Sequence, residues 1–167
     1  MLQSAVRPPY LLFLVFLVFL VAAGPAHAQS EEEAVLAVAQ QVFDGINTRN
    51  GDLIREAMLP EGVIVSTVTR NGVPMVRTET AAQMASQVES TERDFHERMF
   101  ETSVQIQDGV ALVWATYDFH VDGAFSHCGV DTFSLVKTAE GWKVASLTYT
   151  VQMEGCGERP PIPPSDQ

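Results

Sequence analysis

Apolar positions in the first half of the chain recur with helical spacing. Val35, Val38, Val42 and Ile46, with Ala39 and Phe43 beside them, make one continuous face. Ser30 is placed to cap that helix, and Glu31, Glu32 and Glu33 put negative charge where the helix dipole favours it. The helix is expected to end between Asn47 and Gly51, and a short second one over 52–58 is stopped by Pro60. The pattern then changes to strand over 63–69, with Asn71-Gly72 as a hairpin turn. Pro74 confines the return strand near Met75 and Val76 to a sheet edge. A third helix over 80–88 rests on Ala81, Met84, Ala85 and Val88. Four strand-like runs follow between Phe95 and Met153, jointed at Asp108-Gly109, Asp122-Gly123 and Glu140-Gly141. Helices first and an antiparallel meander afterwards predict an α+β domain, its curved sheet packed by helices on one face.

The N-terminus changes the picture of the compartment. Arg7 precedes an apolar run over 10–23, and Ala26-His27-Ala28 supplies the small residues that a signal peptidase reads. The run falls short of the roughly 20 apolar residues of a spanning helix, which disfavours the rival reading as an uncleaved anchor. The expected organisation is a signal peptide over 1–28, one domain over 29–155 and a flexible tail over 156–167 containing Pro160, Pro161, Pro163 and Pro164. The product is then secreted or periplasmic, with no membrane contact after cleavage. A formal net charge of −11 repels phosphate backbones, so nucleic acid is not an expected partner.

Both cysteines, Cys128 and Cys156, fall in the exported part, where a disulfide is permitted. Pairing of the last two strands sets Cys128 opposite Val151 or Gln152, leaving Cys156 about four residues, on the order of 13 Å, too far along a straight strand. Gly155 and Gly157 allow the chain to double back and close the bridge. Two separate thiols are the alternative.

The element order, together with the segment ALVWATYDFHVDGAFSHCGVDTFSLVKTAEGWKVASLTY and its closing Glu140-Gly141-Trp142-Lys143-Val144, resembles the nuclear transport factor 2-like superfamily. That group includes SnoaL-like polyketide cyclases, ketosteroid isomerases and scytalone dehydratase. The resemblance implies a cystatin/NTF2-like conical barrel, in which a strongly curved, mostly antiparallel sheet wraps the long first helix and a pocket opens at the wide end. It also implies a homodimer formed through the outer sheet face. The catalytic positions of the isomerases and the dehydratase do not transfer to this chain residue by residue, so no catalytic residue is assigned.

Which side chains face the pocket depends on strand register. A two-residue turn at Asp108-Gly109 sets Ile106 against Ala111 and Phe100 against Tyr117. An even loop around 122–125 gathers Leu112, Trp114, Thr116, Asp118, His120, His127, Asp131, Phe133 and Leu135 on one face. Val113, Tyr117, Phe119, Val121, Cys128, Val130, Thr132 and Val136 take the other. On this reading Trp114 floors a ligand site, and Asp118, His120, His127 and Asp131 form its polar rim; solvated strand ends are the competing account. Asp131 stands out, because an acid inside a strand needs something to satisfy it. A His beside an Asp also fits general acid–base chemistry, such as proton abstraction next to a carbonyl or loss of water. His96, His120 and His127 lack the short spacing of a metal motif, so neither a metal nor a cofactor is expected. His96 and Glu97 read as part of a solvated connection over 91–99. Three functions remain: an exported module binding a small, partly apolar ligand, an isomerase, hydro-lyase or cyclase, and a dimerising scaffold.

Overall fold

The computed structural model describes residues 30–159; the whole of the expected signal segment, 1–28, and the tail residues 160–167 lie outside them. Helix α1 (Glu31–Asn47) starts from a capping box. The Glu33 N–H donates to the Ser30 hydroxyl at 3.1 Å, and the Ser30 N–H donates to the Glu33 carboxylate at 2.9 Å. Its buried face is Val35, Ala39, Val42, Phe43 and Ile46, with Val38 half-buried at its margin. Helix α2 (Gly51–Ala57) is capped by Asn50, and α3 (Ala81–Ser90) by a second capping box between Thr80 and Gln83.

Six strands complete the chain: β1 (Met58–Arg70), β2 (Val73–Thr80), β3 (Phe95–Gln107), β4 (Val110–Val121), β5 (Ala124–Thr138) and β6 (Gly141–Val151). β1 begins earlier than the pattern predicts; Pro60 sits where its pairing with β6 shifts register, between Met58 and Val63. The turns Asn71-Gly72, Asp108-Gly109 and Asp122-Gly123 carry positive φ at both residues, 52° and 79°, 47° and 85°, 52° and 76°. That is the turn geometry whose twist matches the flanking strands.

The strands lie in the order β2-β1-β6-β5-β4-β3, antiparallel except for the β1–β6 pair. β2 is an edge strand, as Pro74 requires. The sheet curls around α1 without its edge strands pairing, so the cone is open-sided and not a closed barrel. Its concave face contributes Val113, Tyr117, Phe133, Leu135, Val144 and Leu147 to the core, against α1 and the Ala81, Ala85 and Val88 face of α3. Phe43 of α1 and Phe133 of β5 meet with ring centroids 6.0 Å apart.

Two local irregularities reverse the expected strand faces. The Asp122-Gly123 turn is two residues long, with Val121 opposite Ala124 and His120 opposite Phe125, but the next pair is Phe119 with His127. Ser126 is a one-residue bulge, and each bulged residue exchanges the faces of everything beyond it. Ala111, Val113, Ala115, Tyr117 and Phe119 therefore share the concave face with His127, Asp131, Phe133 and Leu135. Leu112, Trp114, Thr116, Asp118 and His120 share the convex face with Cys128, Val130 and Thr132. The expected grouping of Trp114, Asp118 and His120 with His127 and Asp131 is thus corrected.

The second bulge is in β3. Ile106 pairs with Ala111 as expected, but Glu101 and Thr102 together oppose Ala115, and Glu101 takes φ 47°. Tyr117 consequently faces Met99, not Phe100, and Phe95, Glu97 and Met99 turn inward. Gly129, opposite Tyr117, is required by close approach: a Cβ there would lie 2.0 Å from the Thr150 carbonyl oxygen and 2.7 Å from the Tyr117 ring. The space lets Tyr117 reach over β5 and donate to that same carbonyl at 2.7 Å.

Candidate functional site

The concave face and the two helices above it enclose a cavity of about 450 Å³. α1 supplies Val42, Phe43 and Ile46, and α3 supplies Met84, Gln87 and Val88. The sheet contributes four aromatic rings, Phe95, Phe119, Phe133 and Tyr149, and a polar group of His127, Asp131 and Glu97. Phe95 stacks obliquely on Phe119 at 5.2 Å, and Phe119 on His127 at 5.0 Å, so the polar group sits against an aromatic wall.

Asp131 lies in the middle of β5, between Ala115 of β4 and Tyr149 of β6. It is 2% exposed, and its Oδ2 is buried without a hydrogen-bond partner. Burial pushes its carboxyl up to about 8, so at neutral pH it holds a proton for most of the time. Glu97 is its electrostatic neighbour: burial, then the charges of Asp131 and Asp118, raise its carboxyl well above the ordinary range. Each charge disfavours the other, so the two acids titrate as a pair. Glu97 is held by its backbone. Its N–H donates to the Asn47 side chain at 2.6 Å and its carbonyl accepts from the same amide at 2.9 Å, so the last residue of α1 fixes the edge strand.

Burial lowers the His127 imidazole below its usual value and leaves it neutral at pH 7, with Nδ1 3.0 Å from the Ser126 hydroxyl of the bulge. Burial raises the Tyr149 and Tyr117 phenols, which stay protonated. The cavity therefore presents acid, imidazole and phenol groups able to donate or accept a proton, set in apolar surroundings.

The convex face holds a second cluster. Asp118, fully buried, receives two hydrogen bonds from Arg98, Nε to Oδ1 at 3.0 Å and Nη2 to Oδ2 at 2.5 Å. His120 lies beside it with Nδ1 3.8 Å from Oδ1, and opposite His96 on β3. The C-terminal turn passes over this cluster, and a space of about 370 Å³ lies beneath it. That turn is tied down by the disulfide between Cys128 and Cys156, Cα atoms 5.8 Å apart, while Cys128 also exchanges backbone hydrogen bonds with Gln152 at 2.9 and 2.8 Å. The reversal uses Gly155 and Gly157 at φ 77° and 68°. Trp114, 52% exposed, lies farther along the convex face with Leu112 and Val110.

Of the residues singled out from sequence, His127 and Asp131 thus line the cavity together, whereas Trp114, Asp118 and His120 stand behind the sheet. Glu97 and Tyr149 line it without having been singled out. Glu97 carried no signal, because a bulge at the non-glycine Glu101 decides its face. Among the described residues no three His, Cys, Asp or Glu side chains are grouped to hold a metal ion.

The same architecture recurs in solved structures. An NTF2-like protein of unknown function from Shewanella baltica is 17% identical, with a TM-score of 0.57 over 74% of this chain and 95% of that one. An NTF2-like protein from Cytophaga hutchinsonii gives 10% identity and a TM-score of 0.61 over 73% and 98%. A protein from Streptomyces avermitilis described as a "putative dehydratase from the NTF2-like family" gives 17% and 0.55 over 73% and 96%. These likenesses establish an NTF2-like, cystatin-like fold. Residues 30–150 match the model of the family described as "Putative lumazine-binding", and the chain belongs to that family, within the NTF2-like superfamily. No curated protein matches it.

Proposed function

We propose that the protein binds a small, partly apolar molecule in the cavity between α1, α3 and the concave sheet. The observation that carries this reading is Asp131, an acid with an unpartnered buried oxygen at the wall of an aromatic-lined space. A fold that needed only a core would fill that position with an apolar side chain, since an unsatisfied buried polar group costs about 1–3 kcal/mol. The size of the cavity suits a ligand of one or two fused rings. The family description names lumazine, and the Asp131 and Glu97 carboxyls could exchange hydrogen bonds with the amide edge of such a heterocycle. Native mass spectrometry of the purified protein, with a fluorescence titration by lumazine, tests this. A retained or added small molecule bound one to one is expected, and its displacement by Phe119→Trp, which fills the cavity. Binding unchanged by that substitution would place the ligand elsewhere.

An acid–base enzyme is the second reading, favoured by the raised carboxyls of Asp131 and Glu97 in one cavity with His127. A protonated carboxyl and a neutral imidazole facing one cavity can serve a single substrate, the carboxyl donating to one atom while the imidazole accepts from another. The Streptomyces avermitilis protein described as a dehydratase shares the fold alone.

We further propose that the chain is exported after removal of 1–28, with 29–155 as the domain and 156–167 as a tail pinned at its start by Cys156. The disulfide supports this, since such bonds persist in oxidising compartments. No described helix is long and apolar enough to cross a membrane. The exposed Val110, Leu112 and Trp114 on the convex face support a homodimer formed there.

A further inference from the structure

We propose that the cavity selects an organic cation, a protonated amine carried on an aromatic or aliphatic body, over neutral and anionic molecules of the same shape. The inference rests on the reading of the cavity as a binding site and adds the charge of its ligand. Its basis is the distribution of charge around the space. Glu79, Glu97 and Asp131 line it, and none of its lining residues is Lys or Arg. Of these acids Glu79 is committed to Gln87, which donates to it at 2.5 Å. Asp131 has a buried oxygen with no partner at all.

Between the acids stand the faces of Phe43, Phe95, Phe119, Phe133 and Tyr149, the kind of wall over which a cation is attracted by the ring quadrupoles. An anion would meet like charge and no cationic partner. A neutral ligand would gain only apolar burial and hydrogen bonds. A cation gains both rings and carboxylate.

The exchange is balanced in charge. With no ligand bound, burial keeps the Asp131 carboxyl protonated at pH 6.5, and Glu97 is shifted in the same direction. An ammonium group entering the cavity takes over that role, one O–H bond breaks, and the proton goes to solvent as an ion pair forms. Binding is therefore coupled to release of about one proton and strengthens as pH rises toward 8. Other ionisable groups face the pair. His127 on β5 is neutral, Tyr117 on β4 and Tyr149 on β6 keep their protons, and Glu79 on β2 adds negative charge. Arg77, also on β2, acts on Tyr149, and Asp118 behind the sheet adds negative charge while paired with Arg98. The α1 and α3 residues that line the cavity are apolar or carry neutral polar side chains.

Calorimetry on the intact protein tests this with three probes of one shape: 2-naphthylmethylamine, 2-naphthylmethanol and 2-naphthoate. Each is titrated at pH 6.5 and pH 8 in buffers of different ionisation heat, so that proton release is measured directly. The amine is expected to bind at least tenfold more tightly than the alcohol at pH 8, to release close to one proton at pH 6.5, and to lose its advantage in Asp131→Asn. Equal or tighter binding of the alcohol, or amine binding without proton release, overturns the cation inference and leaves the binding site standing. Failure of all three probes overturns the binding reading and the inference with it. Persistence of the amine's advantage in Asp131→Asn overturns the role given to that residue.

Discussion

Asp131→Asn is expected to make the folded protein more stable at pH 8 than the parent, by about 3 kcal/mol, while the two remain nearly equal at pH 4. The parent carboxyl is pushed up to about 8 in the folded state, whereas an Asp in the unfolded chain ionises near pH 4. Between those values the folded chain holds a proton that the unfolded chain has lost. The stabilisation from the protonated form is complete below pH 4 and is lost progressively as pH climbs through 8. Asparagine has the shape of the protonated acid and does not titrate, so the Asp131 contribution is absent from its stability curve and the gap between variant and parent widens from pH 4 to 8. A pKa shift of that size would by itself give more than the stated difference at about 1.4 kcal/mol per unit, but Glu97 titrates together with Asp131, so the cost is not carried by Asp131 alone. Thermal melts of parent and variant from pH 4 to 8 read the effect directly. A variant less stable than the parent at every pH would mean that the carboxylate has a structural partner. Gain of stability with loss of binding is the pattern expected where a residue is kept for function at the expense of the fold.

Removal of the disulfide is expected to be the largest loss. Cys128 and Cys156 are separated by 28 residues in sequence, and opening a loop of that length releases chain entropy worth about 3.5 kcal/mol. The effect should be seen as a lower midpoint in guanidinium denaturation for Cys128→Ser/Cys156→Ser, with a small change in slope. The cavity is on the opposite side of the sheet from the bridge, so ligand binding measured well below the midpoint should be preserved. Loss of binding in the still-folded variant would show that the convex face and the cavity act as one unit.

Much of this molecule was legible in the sequence. The 3.6-residue period of Val35, Val42 and Ile46 is a strong signal because one face of a helix must be buried whatever it packs against. The Asn-Gly and Asp-Gly turns were equally direct, since their left-handed residues leave few other conformations. Gly155 and Gly157 announced the reversal that brings Cys156 back to Cys128. The site was less legible for one physical reason. Strand faces alternate with a period of two, so a single inserted residue sends every later side chain to the other side. Ser126 makes that insertion in β5 and the Glu101–Thr102 pair makes it in β3. Neither bulge is marked by glycine, and both positions carry residues that fit ordinary strands or their ends. Trp114, Asp118 and His120 went to the convex side for that reason, and Glu97 came inward. Asp131 is less sensitive to the error: an acid flanked by Val130 and Thr132 in a strand demands an explanation on either face.

An aromatic-walled hollow containing an acid pair that holds protons near neutral pH is what binding rests on. Carbon-13 NMR of the side-chain carboxyls, followed from pH 3 to 10, tests it most directly. Asp131 is expected to titrate at about 8, with Glu97 moving together with it, well above the ordinary carboxylate range. Ordinary titration of both near pH 4 would contradict it.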